Sequence, residues 1–490
     1  MLEMVFKNWN FLKDSKSLQD SFVKAIGNSE MSLVCQKEDQ TDLENQISFR
    51  IYDKFGNKKN LVSIEFSEEK LKVDWASSEF DTSLICVLGE YFLNELMVDQ
   101  FIISQKNYSQ LGSPIDSFEF INQADSILVK NKNMALGEEL ILTAGPSISA
   151  KERFYGFDAV KSGWNNNWAT YLTEFEKSFA EYVGSKYALA TSSCTGALHL
   201  SLLALGIGEG DEVLVPELTW VASASVIRYV GAKPIFVDVD PKTWCIDVND
   251  MQKKINSKTK AIVPVHLYGF VANMGAIMEL AQKHSLKVVE DAAPAIGATY
   301  GDKKVGGFGD VGCFSFQGAK LTVTGEGGML VTDNEEVFEK IKSFWNHGRK
   351  PGPGFWIDRL GYKYKMSNVQ AALGLGQLQR VDELITSKTR IYNKYFDRLS
   401  GCDQIEFQEV QAGTSSIYWM SSIKLSANSD VSRESMRTKL LDRKIDSRDV
   451  FPCISQYPIW GYEPQINLNA NEIGTRGINL PSGVLLRDDE

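Results

Sequence analysis

One stretch carries the residues best suited to chemistry. Val311–Met329 reads VGCFSFQGAKLTVTGEGGM, and its one lysine, Lys320, sits between an apolar run and a glycine-rich turn. Small and apolar neighbours can desolvate an amine. Burial disfavours the ammonium form, so the neutral amine becomes a usable nucleophile near neutral pH. A lysine that forms a Schiff base with a carbonyl needs this property. Taken alone, a lysine at a strand end is more often a solvated surface residue.

A second stretch changes the balance. Lys287–Ala298 reads KVVEDAAPAIGA, and Val288 and Val289 read as a buried parallel strand with Glu290 and Asp291 at its carboxyl end. Ligand groups in open α/β sheets sit at the carboxyl ends of strands. A carboxylate there, with a lysine that traps an electrophile, is the arrangement used with pyridoxal phosphate. Asp291 would face the pyridinium nitrogen and Lys320 the aldehyde carbon.

EDAAPAIGA, then GDVGCFSFQGAK, then TGEGGMLVTD, in this order and spacing, resemble the DegT/DnrJ/EryC1/StrS family from about Thr143 onward. The resemblance implies an α/β aspartate aminotransferase-like fold (PLP fold type I), pyridoxal 5'-phosphate as cofactor, and transamination of a sugar. Several roles follow from it. Ser193, Cys194 and Thr195, in Ser192-Ser-Cys-Thr-Gly196, are implied to grip the cofactor phosphate, with Cys194 where the family usually has glycine. The residues alone read more often as a plain helix N-cap. Trp220, in PELTWVASAS, is implied to stack on the cofactor ring, where core packing is the alternative. Ser315 is implied to bind the phosphate. Lys365, in GYKYKMSN, is implied to reach the phosphate of a neighbouring subunit, which requires a homodimer with a shared active site. His347, Arg349 and Trp168 are implied to lie near the substrate, with a surface role open for Arg349. His266 and Tyr268 read as structural. Lysine at 320, where some relatives carry histidine and act as dehydratases, favours transamination.

Repeated strand–helix units from Lys186 predict a mostly parallel sheet covered by helices. Expected strands are Tyr187–Thr191, Glu212–Pro216, Lys233–Val239, Ala261–Val265 and Lys287–Glu290. Expected helices include Tyr171–Val183, Thr195–Leu205, Ala222–Val230, Met274–His284, Ser367–Gln379 and Val381–Ser400. The predicted organisation is an N-terminal α+β domain over 1–140, a cofactor-binding large domain over 141–385 and a small C-terminal domain over 386–490. In the first of these, Ile47–Tyr52, Leu61–Phe66 and Leu71–Trp75 predict an antiparallel meander, with a turn over Asp53–Asn57. Phe80–Ile103 is expected to be partly helical.

The 490 residues carry a net charge of −11, which argues against a nucleic-acid backbone or an anionic membrane as partner. The N-terminus lacks a basic start followed by an apolar core, so no secretory signal is expected. The seven cysteines are scattered with no CxxC pair, which predicts free thiols in a reducing cytosol and no metal site. The resembled family has a further helix where this chain stops at Glu490, so a short gene product or a truncated chain is expected. The expected reaction is amino transfer from glutamate to a keto sugar, best matched by a nucleotide-linked 4-keto-6-deoxy hexose, in surface polysaccharide synthesis. The alternatives are a PLP aminotransferase or dehydratase acting on a keto substrate free of nucleotide, and a non-catalytic regulatory or scaffold relative.

Overall fold

The structure is a computed structural model. It describes residues 140–350, 352, 354–461 and 467–487, together with six strands between residues 2 and 103. The chain divides into two compact units. One is Met1–Leu136 with Ser149–Phe154, and the other is Gly137–Ile148 with Tyr155–Glu490.

The first unit contains strands β1 (Leu2–Phe6), β2 (Val34–Lys37), β3 (Gln46–Tyr52), β4 (Lys58–Phe66), β5 (Lys70–Trp75) and β6 (Val98–Ile103). They form one sheet in the order β2-β3-β4-β5-β1-β6, antiparallel throughout. β3 to β5 are the predicted meander. In β3, Ile47, Phe49 and Ile51 alternate with Ser48, Arg50 and Tyr52, the period of a strand. Val98–Ile103, placed within a partly helical stretch by sequence, is a strand. Its β-branched and aromatic residues suit a pleated surface better than a helix. The predicted turn over 53–57 and the rest of the 80–97 stretch lie outside the described residues.

The second unit is built on seven strands. These are β7 (Tyr187–Thr191), β8 (Glu212–Pro216), β9 (Lys233–Val237), β10 (Thr259–Ile262) and β11 (Lys287–Asp291), then, after a short hairpin of β12 (Thr299–Tyr300) and β13 (Lys303–Lys304), β14 (Val311–Ser315) and β15 (Gly328–Thr332). Their order is β7-β15-β14-β11-β10-β8-β9. Only β15 runs against its neighbours. The strands are buried almost end to end, which is why they read as apolar runs rather than alternating ones. β10 stops at Ile262, short of the predicted Val265, because Pro264 has no amide to give to a ladder.

Helices cover both faces. On one side, from helix Thr170–Val183, Phe179 packs edge-on against Phe314 and Phe316, and Phe175 packs tilted against Phe316. On the other lies helix Cys194–Ala204, apolar nearly all round and buried along its length, as a helix inside a packed layer must be. Helix Val381–Leu399 runs unbroken through residue 385. Beyond it come β16 (Ile405–Phe407), β17 (Thr414–Ser415), β18 (Ser421–Leu425), β19 (Arg448–Asp449) and β20 (Gly477–Leu480), with helices Arg433–Leu441 and Leu468–Arg476 between them. β17 joins the β12–β13 hairpin, and the other four form an antiparallel sheet ordered β16-β18-β20-β19. Among the described residues no helix is long and apolar enough to cross a membrane.

Candidate active site

Asp291 ends β11 and is buried. Its Oδ2 accepts from Ser223 Oγ at 2.7 Å, and its Oδ1 accepts from the Ala293 amide at 3.2 Å. Burial pushes the Asp291 carboxyl above its usual range, and these two bonds pull the other way. Lys320 lies within electrostatic reach of Asp291 and of Cys194. Burial lowers the Lys320 amine to about 8, with the two acidic groups raising it in opposition. Lys320 is half-buried. A fraction of this lysine is therefore a neutral amine at neutral pH.

The turn that opens helix Cys194–Ala204 is placed by the sheet. Thr191 of β7, Gly328 of β15 and Ser315 of β14 stand in one row across three strands. The turn lies directly on Gly328. A Cβ there would meet Cys194 N and Ser193 C at 2.5 Å. Ser315 and the Ser193 turn are thus brought to the same end of the sheet by one glycine. Ser193 caps the helix, its Oγ accepting from the Gly196 amide at 3.1 Å. The local cap reading of Ser193 therefore holds, and it leaves the first-turn amides of Cys194 and Thr195 facing outward from the helix end. Cys194 is buried, and burial drives its thiol well above the usual range, so it is no nucleophile. Ser315 Oγ accepts from Gln317 N at 3.4 Å.

Two supports were not assigned a role from sequence. Ser223 is one. The other is Glu290, fully buried beside Asp291. Its carboxylate accepts from the amides of Gly306 (2.7 Å), Phe308 (2.5 Å) and Gly309 (2.6 Å), and meets His266 Nε2 at 3.2 Å. Nδ1 of His266 accepts from Ala272 N, so the proton of the neutral ring lies on Nε2 and points at Glu290. The His266 amide donates to the Asp291 carbonyl, and the Asp291 amide to Pro264 O. His266 therefore helps fix the end of β11 from which Asp291 projects, consistent with a structural role. Tyr268 is buried, its Oη accepting from Phe451 N at 3.2 Å. An acidic side chain at a strand end gives no sequence signal for the loop amides it will collect.

Other expected residues form a second group. Lys365 stands with Nζ 4.3 Å from the Trp345 ring centroid and 6.0 Å from that of Trp168. Its backbone bridges to Thr191, and Ser192 N donates to Tyr364 O at 2.7 Å, so this segment backs the end of β7 that leads into the Ser193 turn. Burial, with Lys363 and Arg349 nearby, lowers the Lys365 amine. Arg349 donates to Gly354 O at 2.6 Å and lies over Phe355. His347 is exposed and holds a left-handed backbone at φ 61°. Trp220 is 58% exposed, its ring 5.8 Å from that of Phe451. The structure therefore gathers Cys194, Asp291 and Lys320 into one group, and Trp168, Arg349 and Lys365 into another.

The first group fits pyridoxal phosphate. It offers a partly desolvated amine, a buried carboxylate held by two donors, and a helix N-terminus with serine and threonine hydroxyls. These match the aldehyde, the ring nitrogen and the phosphate. The α/β fold with this lysine–carboxylate pair at the carboxyl ends of its strands defines a pyridoxal-phosphate-dependent aminotransferase of fold type I. Residues 147–490 match the DegT/DnrJ/EryC1/StrS aminotransferase family, and the chain belongs to that family. It is 41% identical over 345 residues to a GDP-perosamine synthase of Escherichia coli O157:H7, covering 70% of this chain and 94% of that protein. A GDP-perosamine synthase of Caulobacter vibrioides is 39% identical over 344 residues, with 70% and 93% covered. Among solved structures, the putative sugar aminotransferase Spr1654 of Streptococcus pneumoniae in its PMP form superposes with a TM-score of 0.68. It is 27% identical, and 72% of this chain and 94% of that one are covered.

Proposed function

We propose that this enzyme moves an amino group from glutamate to a nucleotide-linked keto sugar, with a GDP-linked 4-keto-6-deoxy hexose as the favoured acceptor. The proposed balance is glutamate plus keto sugar giving 2-oxoglutarate plus amino sugar. The observation that carries the chemistry is the partly desolvated Lys320 amine beside the buried Asp291. The choice of acceptor rests on the likeness to GDP-perosamine synthases over nearly their whole length.

Bound pyridoxal phosphate supplies an aldehyde carbon and an electron-withdrawing ring. Asp291 would hold a proton on the ring nitrogen, and Ser223 and the Ala293 amide favour the ionised carboxylate against its burial. Lys320 Nζ, with its amine near 8, takes a proton from the donor carbon and returns one during amination of the acceptor. Ser193, Thr195 and Ser315, with the first-turn amides, hold the phosphate. Trp220 presents an indole face to the ring. In a homodimer, Lys365 serves the phosphate of the other subunit, and Trp168, His347 and Arg349 face the substrate. The reaction takes place in the cytosol and serves surface polysaccharide synthesis.

The test is a product assay with glutamate and matched GDP- and UDP-linked 4-keto-6-deoxy hexoses. One equivalent of 2-oxoglutarate per amino sugar formed is expected, with the GDP sugar preferred. Turnover of neither nucleotide sugar contradicts the acceptor class.

A further inference from the structure

Trp419 lies between β17 and β18 and is buried. Its ring centroid is 3.8 Å from Lys320 Nζ. Its Nε1 donates to the carbonyl of Ala319, one residue before the lysine, at 2.8 Å. The indole is therefore tied to the backbone that carries Lys320.

Three further contacts clamp it. A Cβ at Gly269 would meet Ile417 Cγ1 at 2.8 Å, Trp419 N at 3.0 Å and Tyr418 N at 3.1 Å, so the two segments press together. The Gly269 carbonyl accepts from Ser416 Oγ at 2.9 Å and from Ile417 N at 3.2 Å. Lys388 Nζ donates to the Trp419 carbonyl at 2.8 Å. On either side of this contact, Tyr268 (φ 57°) and Tyr418 (φ 47°) hold left-handed backbones that cost free energy for non-glycine residues.

Among the described residues Lys320 Nζ makes no hydrogen bond or salt bridge, and the indole face is what it touches. We propose that Trp419 is the platform on which the Lys320 ammonium rests whenever, in the catalytic cycle, its nitrogen carries no bond to the cofactor. The proposal rests on Lys320 being the catalytic lysine. A transaminase lysine alternates between a bonded and a free state. An aromatic face attracts an ammonium through its quadrupole, most strongly when both are desolvated. The groups facing Nζ are Asp291 and Cys194, and His266 faces Asp291 in turn. The Cys194 thiol is neutral through burial, and Asp291 is directed to Ser223 and Ala293 N. Asp291 favours the ammonium from a distance, and Trp419 supplies the face that it touches, which keeps the amine beside its point of return.

The test uses the full chain loaded with pyridoxamine phosphate, in which Lys320 is free. Trace acetylation of Lys320 with acetic anhydride, read by mass spectrometry against pH, gives the midpoint of its amine. In Trp419→Leu the midpoint is expected to fall by about half a unit to one unit, with Trp419→Phe between. An unchanged or raised midpoint in Trp419→Leu overturns the proposal. If Trp419→Leu does not fold, the near-ultraviolet indole difference spectrum of the wild type against pH decides. A titrating band that Lys320→Met lacks supports the platform, and an identical titration in Lys320→Met overturns it. If Lys320 is not the catalytic lysine, Lys320→Ala keeps the bound-cofactor absorption band, whatever these midpoints show.

Discussion

Ser223 donates its Oγ proton to Oδ2 of Asp291 at 2.7 Å, in a buried bond between the helix after β8 and the end of β11. Burial raises the Asp291 carboxyl, and the Ser223 bond is the largest influence opposing it. The serine therefore widens the pH range over which Asp291 is a carboxylate.

Ser223→Ala removes a hydrogen bond to a charged group, worth about 1.5–3 kcal/mol. Cofactor affinity is expected to fall about tenfold or more. The acidic limb of the pH–rate profile should move to higher pH, because Asp291 protonates sooner. Cofactor titration and the pH profile check both effects. An unshifted acidic limb contradicts the role of Ser223.

Gly328→Ala places a Cβ where Cys194 N and Ser193 C now stand, at 2.5 Å. The obstacle is backbone, so the turn must move. Overpacking of this kind costs about 1–3 kcal/mol. The expected result is a folded protein by circular dichroism with cofactor affinity down about tenfold. Wild-type affinity in that variant contradicts the placement of the phosphate turn on β15.

Lys388 is buried on helix Val381–Leu399 and donates to the carbonyls of Trp419 and Ser482. Burial lowers its amine to about 7. The unfolded chain keeps the ordinary lysine value, so between about pH 7 and 10 it binds more protons than the folded chain. Stability from this group therefore rises with pH across that window. Below pH 7 both states are protonated, and the burial penalty is felt in full. Lys388→Met should flatten this dependence, by a few kcal/mol at most across the window. Thermal unfolding of both proteins between pH 6.5 and 9.5, about the window given by the two amine values, checks the sign. An equal slope in the two proteins contradicts it.

Much of the site was legible because its residues sit at strand ends that announce themselves. Val288-Val289-Glu290-Asp291 and Phe314-Ser315 through Lys320 carry their strand signals with them, and β7, β8 and helix Met274–His284 fall on the predicted residues. The partners that tune them were not legible. Ser223 reaches Asp291 across 68 positions, and Trp419 reaches Ala319 across 100. Periodicity reports on neighbours along one element and says nothing of contacts closed by the fold. Val98–Ile103, inside a stretch expected to be partly helical, was ambiguous for a different reason. A short apolar run fits both periods, and strand pairing with β1 decided it.

The most direct measurement is the visible absorption spectrum of the purified protein with pyridoxal phosphate, before and after glutamate, for the wild type and Lys320→Ala. A yellow band that glutamate bleaches in the wild type, and that Lys320→Ala lacks, is the expected result. A protein that stays colourless with added cofactor, or a Lys320→Ala variant with the same band bleached in the same way, contradicts the assignment of Lys320 as the catalytic lysine.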